Sequence, residues 1–262
     1  MKFKISVCIP VYDRVSCTLK AVKSALKNNP FEVIVYEDGL SKSTLELWNK
    51  MIKDKRVKYV LNPKNLGVNH ARNRLAQIAK GDYILYLDSD DVLTELAFKT
   101  INRCKLGLIN LFYTRCDFTG LPMCWSDKNR IKYSYKEWLE GEVLGGEFLG
   151  MYHKSVFSVA TFDESMFCFE AHWLNRLVRK FGVYVFPEFI RLYNSDEPNR
   201  VSSQMLNWNK LKQRAIDYEK YYWEFSSDLV KYKLTKQLLI LMFKVMAYKI
   251  VSGNFTFKRW SK

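Results

Sequence analysis

Three aspartates in four residues, Asp88-Ser89-Asp90-Asp91, follow directly on the apolar run Tyr83-Ile84-Leu85-Tyr86-Leu87. Carboxylates this close repel one another, so a fold that gathers them at the end of a buried strand has to supply positive charge. Hard oxygen donors suit Mg²⁺ or Mn²⁺ shared with a phosphate. The competing assignment is an acidic cap, with Asp91 leading a helix that begins near Leu93. By itself the cluster leaves both open.

Three further groups carry chemistry of a compatible kind. In Glu37-Asp38-Gly39 a carboxylate can accept a hydrogen bond from a base or a ribose, while the glycine relieves a tight turn. Pro10-Val11-Tyr12-Asp13-Arg14 offers a ring for stacking on a planar base beside a guanidinium. The stretch from Asn65 to Asn73 brings Arg72 near a helix N-terminus, a good place for a diphosphate. The plain readings are an ordinary strand-to-helix turn, a turn with a half-buried tyrosine, and a solvated helix face.

The elements that would position these groups alternate. Strands are expected at Ile5–Val11, Glu32–Tyr36, Val57–Leu61 and Tyr83–Leu87. Helices are expected at about 16–27, 43–52 and 68–79, with Gly81 in a left-handed cap beyond the last. This rhythm implies a parallel sheet, whose carboxyl edge is where ligands bind. Farther on, the sequence predicts strands at Leu108–Tyr113 and Val183–Phe186, helices at Tyr135–Glu140 and Glu170–Phe181, and a polar loop from Tyr193 to Ser203. Two closing helices follow, at about 207–225 and 228–251.

The chain has 262 residues, 48% of them hydrophobic, and 42 Lys+Arg against 27 Asp+Glu, giving a net charge of +15. That composition excludes disorder as the main state and fits one compact α/β domain with an appendage. Residues 1–100 carry 17 basic and 11 acidic side chains, residues 101–200 carry 13 and 12, and residues 201–262 carry 12 and 4. The surplus points to a polyanionic acceptor, DNA among them, or to an anionic membrane surface. Six scattered cysteines without a CxxC pair read as reduced thiols, and no stretch has the roughly 18 uninterrupted apolar residues of a membrane span. A cytoplasmic protein, or one lying on the inner face of a membrane, is the expectation.

The order of the four groups, each at the end of a successive strand, resembles that of the GT-A glycosyltransferases of family 2. Their pattern is a PxYN-like turn, a DDGS-like turn, a G…ARN helix and a strand ending in a DxD-DD motif. The likeness resumes at Gly150–Phe157 and at Phe162-Asp163-Glu164, before the helix of Phe169-Glu170-Ala171-His172-Trp173-Leu174-Asn175-Arg176-Leu177 that corresponds to the family's ED helix. The resemblance implies a GT-A (Rossmann-like), mostly parallel sheet flanked by helices, with a C-terminal helical appendage. It would divide the chain into a catalytic domain over 1–203, with a nucleotide-sugar half (1–100) and an acceptor half (101–203), and an appendage over 204–262.

The same resemblance implies an inverting transfer from a nucleoside diphosphate sugar, with UDP the foremost leaving group. Tyr12 and Asp38 would hold the base, and Pro10, Asp13, Arg14, Gly67 and Ser89 would line the donor site. Arg72 and Asn73 would lie near the ribose and diphosphate, and Asp88 and Asp90 would bind Mn²⁺ or Mg²⁺. Glu170 takes the place of the catalytic base, although a frame shifted by one residue would put Ala171 there. His172, Trp173, Gly145 and Gly146 fall on the acceptor side, with core packing the plainer role for Trp173. Related enzymes often carry a histidine after the strand of Arg191. Here Asn194 or Asp196 would have to substitute.

The implied acceptor is a bacterial surface glycan or a lipid-linked saccharide. Residues 231–249 read as an amphipathic helix, either lying on an anionic membrane or packed on the catalytic domain with its lysines solvated. A phage-type enzyme acting on hydroxymethylated bases of DNA is the alternative, with Trp125, Trp138 or Trp173 available for stacking. A non-catalytic nucleic-acid-binding protein is a second alternative, which leaves the acidic strand ends without a purpose. A nucleotidyltransferase would need a glycine- and lysine-rich phosphate loop that Tyr12-Asp13-Arg14 does not supply.

Overall fold

β-branched and aromatic residues in short runs give strands with no wet face. All seven residues of β1 (Ile5–Val11) are buried. In a computed structural model that describes residues 3–51, 53–117, 119–127, 130–141, 144–167, 169–194 and 208–253, the chain continues as α1 (Val15–Lys27), β2 (Glu32–Asp38), α2 (Thr44–Lys50), β3 (Val57–Asn62), α3 (Val68–Ile78) and β4 (Tyr83–Tyr86). β1 pairs in parallel with β2 and with β4, and β2 pairs in parallel with β3. The order β3-β2-β1-β4 means the chain builds outward from β1 and then returns to its other side. The carboxyl ends of β1 and β4 therefore flank a topological switch point, where such sheets form a crevice.

The second half comprises β5 (Val92–Leu93), α4 (Ala97–Ile101), β6 (Ile109–Cys116), β7 (Cys124–Ser126), β8 (Lys132–Tyr133), α5 (Tyr135–Glu140), β9 (Leu144–Gly146), β10 (Leu149–His153), α6 (Glu170–Phe181) and β11 (Val183–Tyr193). β10 runs antiparallel between β4 and β6, β11 lies parallel to β6, and β5 and β8 add antiparallel to β11. The described strands thus make a mixed nine-stranded sheet flanked by helices, with β7 and β9 forming a separate ribbon. Alternation along the strands divides the core. Val33 and Val35 of β2 face the layer of Ala21, Val22 and Ala25 from α1, while Ile34 and Tyr36 face the layer of Leu75 from α3 and Trp173 from α6.

Several boundaries differ from the sequence expectation for physical reasons. The helix expected near Leu93 starts at Ala97, because Val92 and Leu93 pair with Leu192 and Arg191 as β5. Asp91 is therefore not a helix cap. α3 ends at Ala79 in an extended conformation, so Gly81 provides no left-handed cap. β11 does not stop at Phe186. The register shifts between Phe186 and Phe189 accommodate Pro187, which has no N–H for a ladder, and the strand carries on to Tyr193. Cys8, Cys104 and Cys124 are free thiols.

α7 (Trp208–Lys231) and α8 (Thr235–Ser252) form a hairpin whose turn lies later than expected, with Lys233 at φ +58°. α7 docks on α6: Phe169 packs edge-on against Tyr218 and Tyr221, and Glu224 accepts from His172 Nε2 at 2.7 Å and from Arg176 Nε at 2.6 Å. α8 is not the amphipathic helix expected. Lys249 is buried with Glu219 in an ion pair of 2.9 Å, whereas Leu239, Phe243, Met246 and Ile250 are exposed along one stripe. Among the described residues no helix is long and apolar enough to cross a membrane.

Two stability tests follow from this packing. Lys249→Met strands a buried Glu219 and is expected to cost about 3–5 kcal/mol in chemical denaturation, most of it recovered in Glu219→Met/Lys249→Met. Burial opposes ionisation of Glu224, but the bonds from His172 and Arg176 win and hold its carboxyl at about 2, against 4.5 normally. A carboxyl depressed on folding stabilises above its unfolded value and loses that contribution as the pH falls through its folded one. Glu224→Gln is therefore expected to melt below the wild type at pH 6, with the gap closing between pH 4.5 and about 2.

Candidate active site

β4 delivers the acidic motif. Leu87 N–H still donates to Cys8 of β1, after which the chain turns, with Asp91 N–H donating to the Asp88 carbonyl. Like charges about 4 Å apart repel by about 4 kcal/mol at a protein-like dielectric, so three such carboxylates need countercharge. Three guanidiniums supply it, each from a different element. Arg14, in the loop after β1, lies 2.8 Å from Asp90. Arg72, in α3, lies 3.3 Å from Asp88, and Arg191, in β11, lies 3.1 Å from Asp91 and 4.0 Å from Asp88. Burial, with Asp88 and Asp90 adding to it, pushes the Asp91 carboxyl up to about 7, and Arg191 opposes the rise.

Arg72 has a second partner: its other terminal nitrogen lies 3.1 Å from Glu170, the first residue of α6. One guanidinium therefore joins the acidic motif to Glu170. Tyr152 O–H donates to the same carboxylate at 3.4 Å. Phe169 turns its ring to α7 and Ala171 is exposed, so of the three neighbouring residues it is Glu170 that reaches the acidic edge. The position of α6 is set by Trp173, whose ring stacks 4.1 Å from Phe162 and whose indole N–H donates to the Ala160 carbonyl. Arg72 itself lies over the rings of Tyr86 and Phe162, and Tyr86 O–H donates to its carbonyl.

The donor-side residues fall into two groups. Tyr12 is 48% exposed on the rim, beside Asp13, which adopts a left-handed φ of +55° and accepts from Ser43 of the segment entering α2. Pro10 lies within β1, level with Tyr36, and Ser89 is buried beside Asp90. Asp38 is buried and accepts from the N–H groups of Leu66 and Gly67 and from the Asn62 side chain, so it fixes the loop leading into α3. Gly39 allows that loop its approach. A Cβ there would meet Asn65 at 2.7 Å, and its φ is +112°. Asn73, expected near the ribose and diphosphate, instead spends its carboxamide on the main chain of Phe162 and on Glu164, joining α3 to the following loop.

The expected acceptor-side group also divides. His172 lies under α7 on Glu224 and Trp173 lies in the core, so neither faces a cavity at the acidic edge. Gly145 and Gly146 lie in β9, three and two residues before Phe148, whose carbonyl accepts from Arg191. Asn194 reaches the site through its main chain, donating to Asp91 at 3.1 Å, while Asp196 lies outside the described residues. Arg191 and Tyr152 are the residues that sequence reasoning passed over. The signal for Arg191 was a charged residue set between the apolar Ile190 and Leu192.

Asp88 and Asp90 fit a hard divalent cation in donor chemistry. Asp88 is exposed enough, at 42% of its side chain, to be reached from solvent. No group of three or more possible protein ligands is arranged for a metal among the described residues, so the set would be completed by phosphate oxygens and water, as Mg²⁺ commonly is.

Residues 6–101 match the family described as Glycosyl transferase family 2. An uncharacterized glycosyltransferase of Rickettsia bellii is 37% identical over 123 residues, covering 45% of this chain and 18% of that protein. The GalNAc(5)-diNAcBac-PP-undecaprenol beta-1,3-glucosyltransferase of Campylobacter jejuni is 29% identical over 207 residues, covering 72% of this chain and 64% of that one. The crystal structure of S. aureus TarS 1–349 in complex with UDP-GlcNAc superposes with a TM-score of 0.66 at 14% identity, over 96% of this chain and 83% of that one, a likeness of fold. The chain spans less than a fifth of the length of the Rickettsia relatives it matches. With the four motifs at the carboxyl ends of β1 to β4 and the family match over the same residues, residues 6–101 carry the pattern of family 2 glycosyltransferases, on a fold like that of TarS.

Proposed function

We propose that this protein transfers a sugar from a UDP-linked donor to a hydroxyl of a lipid-linked or surface saccharide, with inversion at the anomeric carbon. The observation that carries the reading is Arg72, 3.3 Å from Asp88 and 3.1 Å from Glu170, which puts a proton acceptor and the acidic strand end on one guanidinium. Two of the similar proteins support the substrates: a relative that glucosylates an undecaprenol-linked oligosaccharide and a structural neighbour solved with UDP-GlcNAc.

In this mechanism Tyr12 stacks on the base, and Asp38 acts through the loop of Asn65 to Gly67 that it holds. Asp88 and Asp90 would hold the Mn²⁺ or Mg²⁺ that neutralises the leaving diphosphate. Arg14 and Arg72 would then turn from carboxylate to phosphate oxygens. Glu170 takes the proton of the acceptor hydroxyl as its oxygen bonds to the anomeric carbon. The bond from that carbon to the diphosphate oxygen breaks, and its electron pair leaves with UDP. A single displacement of this kind inverts the configuration.

We further propose that the protein works at the inner face of a membrane, with α8 against an anionic bilayer. The exposed Leu239, Phe243, Met246 and Ile250, within a segment of 12 basic and 4 acidic residues, support that placement.

Glu170→Gln is expected to retain UDP binding by calorimetry while transfer falls about 10²- to 10⁴-fold, the usual worth of a general base. Retained transfer would move the base elsewhere. Asp90→Ala is expected to abolish Mn²⁺-dependent turnover without unfolding. Mass spectrometry after incubation with nucleotide sugars is expected to add mass to oligosaccharide or lipid-linked acceptors; addition to hydroxymethylpyrimidine DNA alone would replace the acceptor proposed here. Phe243→Glu/Met246→Glu is expected to release the protein from phosphatidylglycerol vesicles in sedimentation while transfer to a soluble acceptor continues.

A further inference from the structure

The ribbon of β7 and β9 stands off the main sheet beside the acidic edge, and register fixes where. β10 runs antiparallel to β4 with Met151 opposite Leu85. Two residues back, Leu149 is level with Leu87, so Glu147 and Phe148 lead into β10 beside the turn that begins at Asp88. β9 ends at Gly146, one residue before that point. The same junction is tied to the site by hydrogen bonds: Arg191, which pairs with Asp91, donates to the Phe148 carbonyl, and Glu147 N–H donates to Met123 at 2.9 Å. Ser126 N–H donates to Tyr113 Oη at 2.6 Å and Met123 N–H to Thr114 at 2.9 Å, so both ends of β7 are pinned to β6.

At the centre of this ribbon Trp125 lies opposite Gly145. A Cβ on Gly145 would lie 2.6 Å from the indole ring, so the lack of a side chain there lets the ring come close to the β9 backbone. Trp125 is 54% exposed, and among the described residues no other ring packs against it. A large apolar surface held rigid, half exposed and next to a polar crevice suits a ligand that is itself flat and apolar on one side. The C–H-bearing face of a pyranose is such a surface, with its hydroxyls radiating in plane toward polar groups.

Charge favours a saccharide over a nucleic acid at this place. The half of the chain that carries the ribbon, residues 101–200, has 13 basic and 12 acidic side chains, which is no track for a phosphate backbone. The positive surplus lies in the other segments.

We infer that Trp125, laid on Gly145, is the stacking platform for the acceptor's sugar ring and that the acceptor presents a pyranose to the site. This deepens the transferase reading and rests on it. The test compares wild type, Trp125→Ala, Trp125→Phe and Gly145→Ala with Mn²⁺ and saturating UDP. The probes are immobilised oligosaccharides ending in glucose, galactose, N-acetylglucosamine, N-acetylgalactosamine or rhamnose, and a hydroxymethylcytosine oligonucleotide. UDP affinity is measured separately by calorimetry. Wild type is expected to bind at least one oligosaccharide. Trp125→Ala is expected to weaken that binding about tenfold, the scale of one aromatic stacking contact, with Trp125→Phe recovering part of it. Gly145→Ala keeps the indole but tilts it, and is expected to match Trp125→Ala, with UDP affinity unchanged in all four proteins. Binding by Trp125→Ala equal to wild type would overturn the platform. So would a wild type that binds UDP but no oligosaccharide, or one that binds the oligonucleotide alone. Loss of UDP binding in the wild type would instead remove the transferase reading beneath it.

Discussion

Three carboxylates at one strand end repel, and the fold is arranged around answering that repulsion. Asp88, Asp90 and Asp91 each meet a guanidinium, and the three arginines come from the loop after β1, from α3 and from β11. Elements far apart in sequence are thereby held to one point. Asp91 is fully buried and Arg191 nearly so, so the pair depends on each partner being delivered to the interior by its own strand. Arg72 extends the lock to α6 through Glu170.

The same lock sets up the chemistry. Guanidiniums already aimed at a negative edge need little reorganisation when a diphosphate arrives with its own negative charge, and such preorganised charge is the largest single contribution in many transfer reactions. Apolar packing supplies the rigidity. Trp173, Phe162, Phe157 and Tyr152 form a contiguous aromatic cluster beneath the first turn of α6, so the Glu170 backbone has no slack. The α7–α8 hairpin packs on that helix through Glu224, which accepts from His172 and Arg176.

Much of the first hundred residues was legible because local signals and global topology agree there. Short, β-rich apolar runs gave β1 to β4 within a residue or two, since strands buried on both faces read as continuous hydrophobic stretches. The four chemistry-bearing groups were legible from their order at successive strand ends, which a parallel sheet converts into one edge. Glu170 was visible as the acidic first residue of a helix. Its competition with Ala171 was not resolvable there, because a one-residue shift changes the face of a helix and nothing in the sequence reports the face.

What only the tertiary structure decided concerns partners contributed from a distance. Arg191 reaches Asp91 because β11 passes through Pro187 by shifting register, a bulge that strand propensity reads as an end. Asp38 and Asn73 carry residue types suited to a nucleotide, yet their hydrogen-bonding capacity goes to the Asn65–Gly67 loop and the Phe162–Glu164 segment. His172 looked like a pocket residue until α7 covered it, and Lys249 looked like a solvated charge until Glu219 came to face it. The sequence by itself determined the alternating strands, the helices and the acidic strand end, because these follow from periodicity and spacing along the chain. Which charge answers which carboxylate was decided in three dimensions, where Coulomb attraction depends on distance through space.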